Sequence, residues 1–166
     1  MHRKGHVGAA LAAYAPIGGL LVAAGIDVLA AAGGMVAFGL ATLPDWDRRI
    51  PFVDHRGVTH TVHFAVAVGG LVGTAGALSG RSAGIGTAVA LGGFGFLVGS
   101  VTVLSHVAAD ALTPMGVDPF RTGRRRSLDV VRAANPIAND ALLALGVVSV
   151  GVAYVVGAAI AGSMPG

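Results

Sequence analysis

Polar and ionisable positions in this chain are gathered into a few short segments, and between them lie five apolar stretches at about residues 7–26, 28–43, 61–78, 85–107 and 137–160. Each is near the roughly 20 residues that an α-helix needs to cross the hydrocarbon core of a bilayer. The second is short, and it spans only if it begins at Asp27 or lies in a locally thin region. Asp27 alone separates the first two stretches, so they read as a helical hairpin. Pro16 falls inside the first span, where it bends the helix or frees a carbonyl, a defect that a packed membrane bundle tolerates. The pattern predicts an all-α, polytopic transmembrane helical bundle of about five spans, forming a single domain over residues 1–166. Met1 to Lys4 followed by an apolar run imitates a signal peptide, but the run is long and further spans follow, so an uncleaved first helix is expected.

Composition agrees with that pattern. Hydrophobic residues make up 54% of the chain and charged residues 11%, whereas a soluble domain carries about a quarter charged residues. Glycine accounts for 27 of 166 residues without a Gly-X-Y period, which suits closely approaching membrane helices. The pairs Gly69/Gly73 and Gly95/Gly99 have small-xxx-small spacing; packing between helices is the first reading, and a homo-oligomer is an open alternative. Cysteine is absent, so a metal would have to be held by nitrogen and oxygen.

Charge orients the bundle. With the N-terminus inside, Arg3, Lys4, Arg48, Arg49, Arg56, Arg121, Arg124, Arg125, Arg126 and Arg132 are cytoplasmic, ten of the eleven basic residues, and Arg81 alone lies outside. The positive-inside rule therefore predicts N-in and C-out, in the cytoplasmic (inner) membrane. The same assignment gathers all six histidines and every acid except Asp27 on the cytoplasmic side. The rule does not account for that second asymmetry.

The candidate chemistry lies there. Asp45 and Asp47 follow Pro44 at the end of the second span; one could be a ligand while the other orients it or binds a second ion, and a solvated acidic loop is the plainer alternative. Trp46 between them reads as an interfacial anchor. Thr59 is the expected N-cap of the third helix, which would put His60 in its first turn and favour a neutral, metal-binding imidazole. His106 and Asp110 share a helix face at i,i+4 near the end of an apolar span, where ionisable side chains are costly unless paired or metal-bound. With His6, these residues offer ligands for one or two divalent ions: His6, Asp45, Asp47, His60, His106 and Asp110. Nitrogen and oxygen donors together suit zinc best, with manganese or iron as alternatives.

The segments Leu43-Pro44-Asp45-Trp46-Asp47, His55-Arg56-Gly57-Val58-Thr59-His60 and His106-Val107-Ala108-Ala109-Asp110-Ala111-Leu112-Thr113 resemble the DUF457 family. That family is described as membrane-bound, predicted metal-dependent hydrolases and includes inner-membrane proteins of the YdjM type. Its polar signature falls on His6, Asp45, Asp47, His55, Arg56, Thr59, His60, His106, Asp110 and Thr113. The chain has Thr61 where the pattern commonly has serine, and His2 and His63 match no family position.

The expected function is metal-dependent hydrolysis of a phosphoester in a lipid or other amphiphile, with Asp47 or His55 as general base or acid and Arg56 stabilising phosphoryl charge. The alternative is a non-catalytic membrane protein with a structural metal or a lipid-binding role. Ion transport is disfavoured because the ionisable groups lie at one face, away from midplane. Arg121, Arg124, Arg125 and Arg126 form a basic cluster suited to topology and to anionic headgroups of membrane lipids. The net charge of +3 has the same origin, and no nucleic-acid partner is expected, since the cluster is short and lacks interleaved aromatic residues.

Overall fold

A computed structural model describes residues 1–163. Its helices are α1 Arg3–Ala23, α2 Asp27–Leu40, α3 Val62–Gly80, α4 Ile85–Ala111 and α5 Pro136–Ser163. Five segments are long and apolar enough to cross a membrane, the second being α2 continued to Arg49. Large apolar side chains such as Leu20, Val28, Leu71, Ile85 and Ile137 face outward, where hydrocarbon rather than water is the suitable solvent.

Two helix pairs dominate the packing. α1 and α5 run parallel, and a Cβ at Gly8 would fall on the Leu142 carbonyl, while one at Gly157 would fall on that of Gly19. α3 and α4 run antiparallel, with Gly73 against Gly92 and Phe96, and Gly99 against Gly69. Both small-xxx-small pairs thus serve contacts within the chain. α2 leans on α1 and α4, and α1 also touches α4. Tyr14 of α1 donates a hydrogen bond to the Ala30 carbonyl of α2 at 2.6 Å. The interior is otherwise built of small residues, with Val7, Ala10 and Ala41 in one cluster and Ala65, Val68 and Val103 in another.

Three local expectations change. α1 begins at Arg3, ahead of the expected start near residue 7, so His6 lies inside its first turns. α2 stops at Leu40, four residues before Pro44, and the chain continues as a 3-10 segment over Leu43–Arg49. Pro44 has no N–H with which to prolong the α-helical ladder. The cap of α3 is Thr61, which accepts from the Phe64 N–H at 3.1 Å; His60 therefore precedes the helix, in a short 3-10 turn over Val58–His60.

The connection from α4 to α5 is a strap without helix. Val117 and Arg126 exchange backbone hydrogen bonds, the Val62 N–H donates to the Pro119 carbonyl, and Leu128 and Val130 donate to the carbonyls of Ala111 and Leu112. The last two bonds satisfy acceptors that the end of α4 would leave open.

Candidate metal centre

The starts of α1, α3 and α5 and the ends of α2 and α4 meet at one end of the bundle. His6, His60 and His106 are completely buried there, beside the almost completely buried Asp47 and Asp110. Asp45 is partly buried, with 19% of its side chain exposed. The rings of His6 and His106 stack with centroids 3.5 Å apart.

Hydrogen bonds at Nδ1 fix where the imidazoles of His106 and His60 aim, while His6 Nε2 lies 3.1 Å from the Met1 carbonyl. His106 Nδ1 lies 2.8 Å from the Ala41 carbonyl, to which it can only donate, so its Nε2 is the free acceptor. His60 Nδ1 lies 2.9 Å from Thr59 Oγ1, while the Thr59 hydroxyl donates to Asp47 Oδ2 at 2.9 Å. That arrangement makes His60 Nδ1 the donor and again leaves Nε2 free. The two Nε2 atoms face each other at 3.2 Å. Around them, Asp110 Oδ2 is 3.3 Å from His60 Nε2 and 3.7 Å from His106 Nε2, and Asp45 Oδ1 is 3.7 and 3.8 Å from the same atoms. His6 Nε2 approaches Asp45 Oδ2 at 3.6 Å and Asp110 Oδ1 at 3.5 Å.

Asp110 is asymmetric. Its Oδ1 receives the Arg56 guanidinium at 2.7 Å and the Met1 ammonium group. Its Oδ2, like Asp45 Oδ1, is buried with no hydrogen-bond donor. Two carboxylate oxygens and two imidazole lone pairs thus converge, with the Arg48 guanidinium 3.8 Å from Asp45 Oδ1 and no hydrogen-bond donor on either oxygen among the described residues, an arrangement that is costly unless a cation completes it. The donor set and the separations suit a divalent ion: His6, Asp45, His106 and Asp110 offer ligand atoms within 4.8 Å of one another, and Asp45, His55 and His60 form a second such group.

Asp47 stands apart from this convergence. Its Oδ2 accepts from Thr59 and from the Arg56 N–H at 3.1 Å, and its Oδ1 from His55 Nδ1 at 3.0 Å. His55 in turn accepts from Arg48 through Nε2 at 2.7 Å. Arg56 is buried, takes a left-handed backbone conformation (φ 60°), and also donates to Thr113 Oγ1 and the Gly116 carbonyl at 2.9 and 3.1 Å. A left-handed arginine costs on the order of 1–3 kcal/mol, and here it aims the N–H at Asp47 and the side chain at Asp110.

The electrostatics of His60 reverse the expectation from sequence. Burial disfavours its charged form, but the carboxylates of Asp110, Asp45 and Asp47 outweigh burial and raise its pKa above the ordinary value. The expected helix-dipole effect is missing because His60 lies ahead of α3.

His2 and His63 are exposed and outside the group. Sequence reasoning missed Asn139 of α5. It is buried, accepts from the His2 N–H at 2.9 Å and donates to the carbonyls of Ala133 and Asn135, so it ties the start of α1 to that of α5. An amide at the head of an apolar span was the available signal.

A family model described as YdjM inner membrane protein matches residues 1–164 of the chain. No curated protein matches, and no solved structure matches.

Proposed function

Because the chain belongs to the YdjM inner membrane protein family, we propose that it is a membrane-embedded, metal-dependent hydrolase acting on a phosphoester of a lipid or other amphiphile. The observation that carries this reading is the pair of donorless carboxylate oxygens, Asp45 Oδ1 and Asp110 Oδ2, facing the free Nε2 atoms of His60 and His106. His6, Asp45, His60, His106 and Asp110 would hold one or two divalent ions, with zinc preferred on donor type and manganese or iron compatible with it. Asp47, one of the ligands expected from sequence, takes the orienting role instead, since both its oxygens are engaged by Thr59, Arg56 and His55.

A bound divalent ion would acidify its water and polarise a phosphoryl oxygen. Hydrolysis of a phosphoester adds water to phosphorus, breaks the ester P–O bond and returns a proton to the departing alcohol. His55, held by Asp47 and open to the adjoining cleft, is the group suited to move this proton. Arg56 braces Asp110 and adds positive charge beside the reacting phosphoryl group. Asp45 and His55 are partly exposed, which favours an open coordination position over the closed shell of a structural metal. The arginine bias assigns this end to the cytoplasmic face, with Arg121 to Arg126 on anionic headgroups at its surface.

The test is turnover of a panel of lipid and soluble phosphoesters by metal-loaded protein, compared with the His60→Ala and Asp110→Ala variants. Turnover lost in both variants supports the reading. Equal turnover in wild type and variants, or none by metal-loaded wild type across the panel, contradicts it.

A further inference from the structure

Beside the buried carboxylates, a cleft of about 540 Å³ opens between the segment bearing Arg48, His55 and Arg56 and the strap bearing Pro114, Met115 and Arg132. That volume lies within the range of small-molecule sites. Three arginines line it and, among the described residues, no carboxylate does, although Arg56 pairs with Asp110 at 2.7 Å and Arg48 reaches Asp45 at 3.8 Å behind the lining. Arg132 is exposed, and among the described residues its side chain has no hydrogen-bond or ion-pair partner. Arg56, buried at the base, has an Nε with no acceptor. The neighbouring cavity under Arg121 and Arg125 differs, because Asp54 and Asp118 also line it and balance its charge.

The flanks of the cleft are apolar. Pro114 and Met115 form part of its wall, and Met115 is 56% exposed. On the opposite segment Trp46 and Ile50 are about half exposed, and Phe52 is fully exposed in a left-handed conformation (φ 68°). Aromatic and aliphatic residues displayed this way belong at the headgroup level of a bilayer, where one side is wet and the other apolar. A cationic cleft between such segments meets molecules that carry an anionic head on an apolar chain.

We propose that this cleft is the headgroup site for a phosphate-bearing amphiphile, with Arg48 and Arg132 as the two rim contacts that select it. The proposal rests on the hydrolytic reading for its substrate class, and it names the residues that choose that substrate. Arginine on two sides of an opening suits the several oxygens of a phosphate group, which accept charge-assisted hydrogen bonds from different directions. A phosphate whose charge is already balanced by a choline within the same headgroup is a poorer match.

The test uses full-length protein in neutral detergent, stripped of metal with a chelator so that binding is read without turnover. Dodecyl phosphate, dodecyl phosphocholine and inorganic phosphate are titrated against the fluorescence of Trp46, the chain's single tryptophan. Dodecyl phosphate is expected to bind about tenfold more tightly than either of the others, and Arg48→Gln/Arg132→Gln to lose about tenfold of that affinity. Arg3→Gln/Arg81→Gln, which removes the same charge from exposed positions outside the cleft, is expected to stay within about twofold of wild type. Arg132→Gln alone gives a second measurement that leaves the Arg48–His55 contact in place, with a weaker but measurable loss. Unchanged affinity in the double variant, an equal loss in the control pair, or equally tight binding of inorganic phosphate would overturn the proposal. Failure of the metal or turnover assays with this binding intact would instead count against the hydrolytic reading.

Discussion

Along their apolar lengths α1 and α5 meet backbone to backbone, at Gly8 against Leu142 and at Gly157 against Gly19. At the end where both helices start, the same pair is joined by the Asn139 amide on the His2 N–H and by Lys4 on Asp140 at 2.8 Å. The difference shows how this chain divides its work. In hydrocarbon no hydrophobic force draws helices together, so the body relies on the close approach that glycine permits. At the polar end, directional bonds made by the side chains of Asn139, Lys4 and Asp140 join the two helices, the kind of support a ligand-holding site requires. A substitution should therefore fail in different ways at the two ends.

The largest effect is expected in the body. Leucine at Gly8 or Gly146 meets backbone that cannot move aside, and overpacking of this kind costs about 1–3 kcal/mol or more per site. Loss of the monodisperse peak in detergent gel filtration, or a sharp fall in the unfolding temperature, checks it. Gly93→Ala, with open space around the added carbon, provides the neutral comparison.

At the polar end, Asp47→Asn should leave the bundle folded and weaken metal binding by about 10- to 100-fold, the usual penalty for losing a group that orients a ligand. A competition titration with a chromophoric chelator measures it. If the bundle unfolds instead, Asp47 belongs to the scaffold more than to the site. Asn139→Ala removes the acceptor for His2 and two donors. It should destabilise the protein by about 1–3 kcal/mol, read by thermal unfolding, with a smaller loss of metal affinity through displacement of His6. Lys4→Ala breaks an ion pair whose two side chains are 64% and 58% exposed. It should shift stability by less than about 1 kcal/mol, so a larger shift would mean that the surface bond helps to hold α1 on α5.

Much of this division is legible in the sequence. Apolar runs locate the five spans, and the histidines and aspartates identify the polar end because such groups are rare and expensive near a membrane. The ligand roles are harder to read. Thr59 and Thr61 are equally good caps by residue type; the choice falls to Thr61 because Thr59 is engaged by Asp47 across the turn, a contact between segments that no local pattern encodes. Asp45 and Asp47 are two positions apart in one 3-10 segment, and only its fold turns one toward the histidines and the other toward Thr59 and His55. The tautomer of His106 depends on the Ala41 carbonyl, freed because α2 ends early. Backbone atoms of this kind have no signature in side-chain identity.

The central claim is that His6, Asp45, His60, His106 and Asp110 converge on a metal. Elemental analysis of detergent-purified protein tests it most directly, on wild type, His106→Ala and the exposed-histidine control His63→Ala. The account predicts near-stoichiometric divalent metal in wild type and in the control, and its loss in His106→Ala. Metal absent from all three after reconstitution with zinc, manganese or iron, or equal metal in all three, would contradict it.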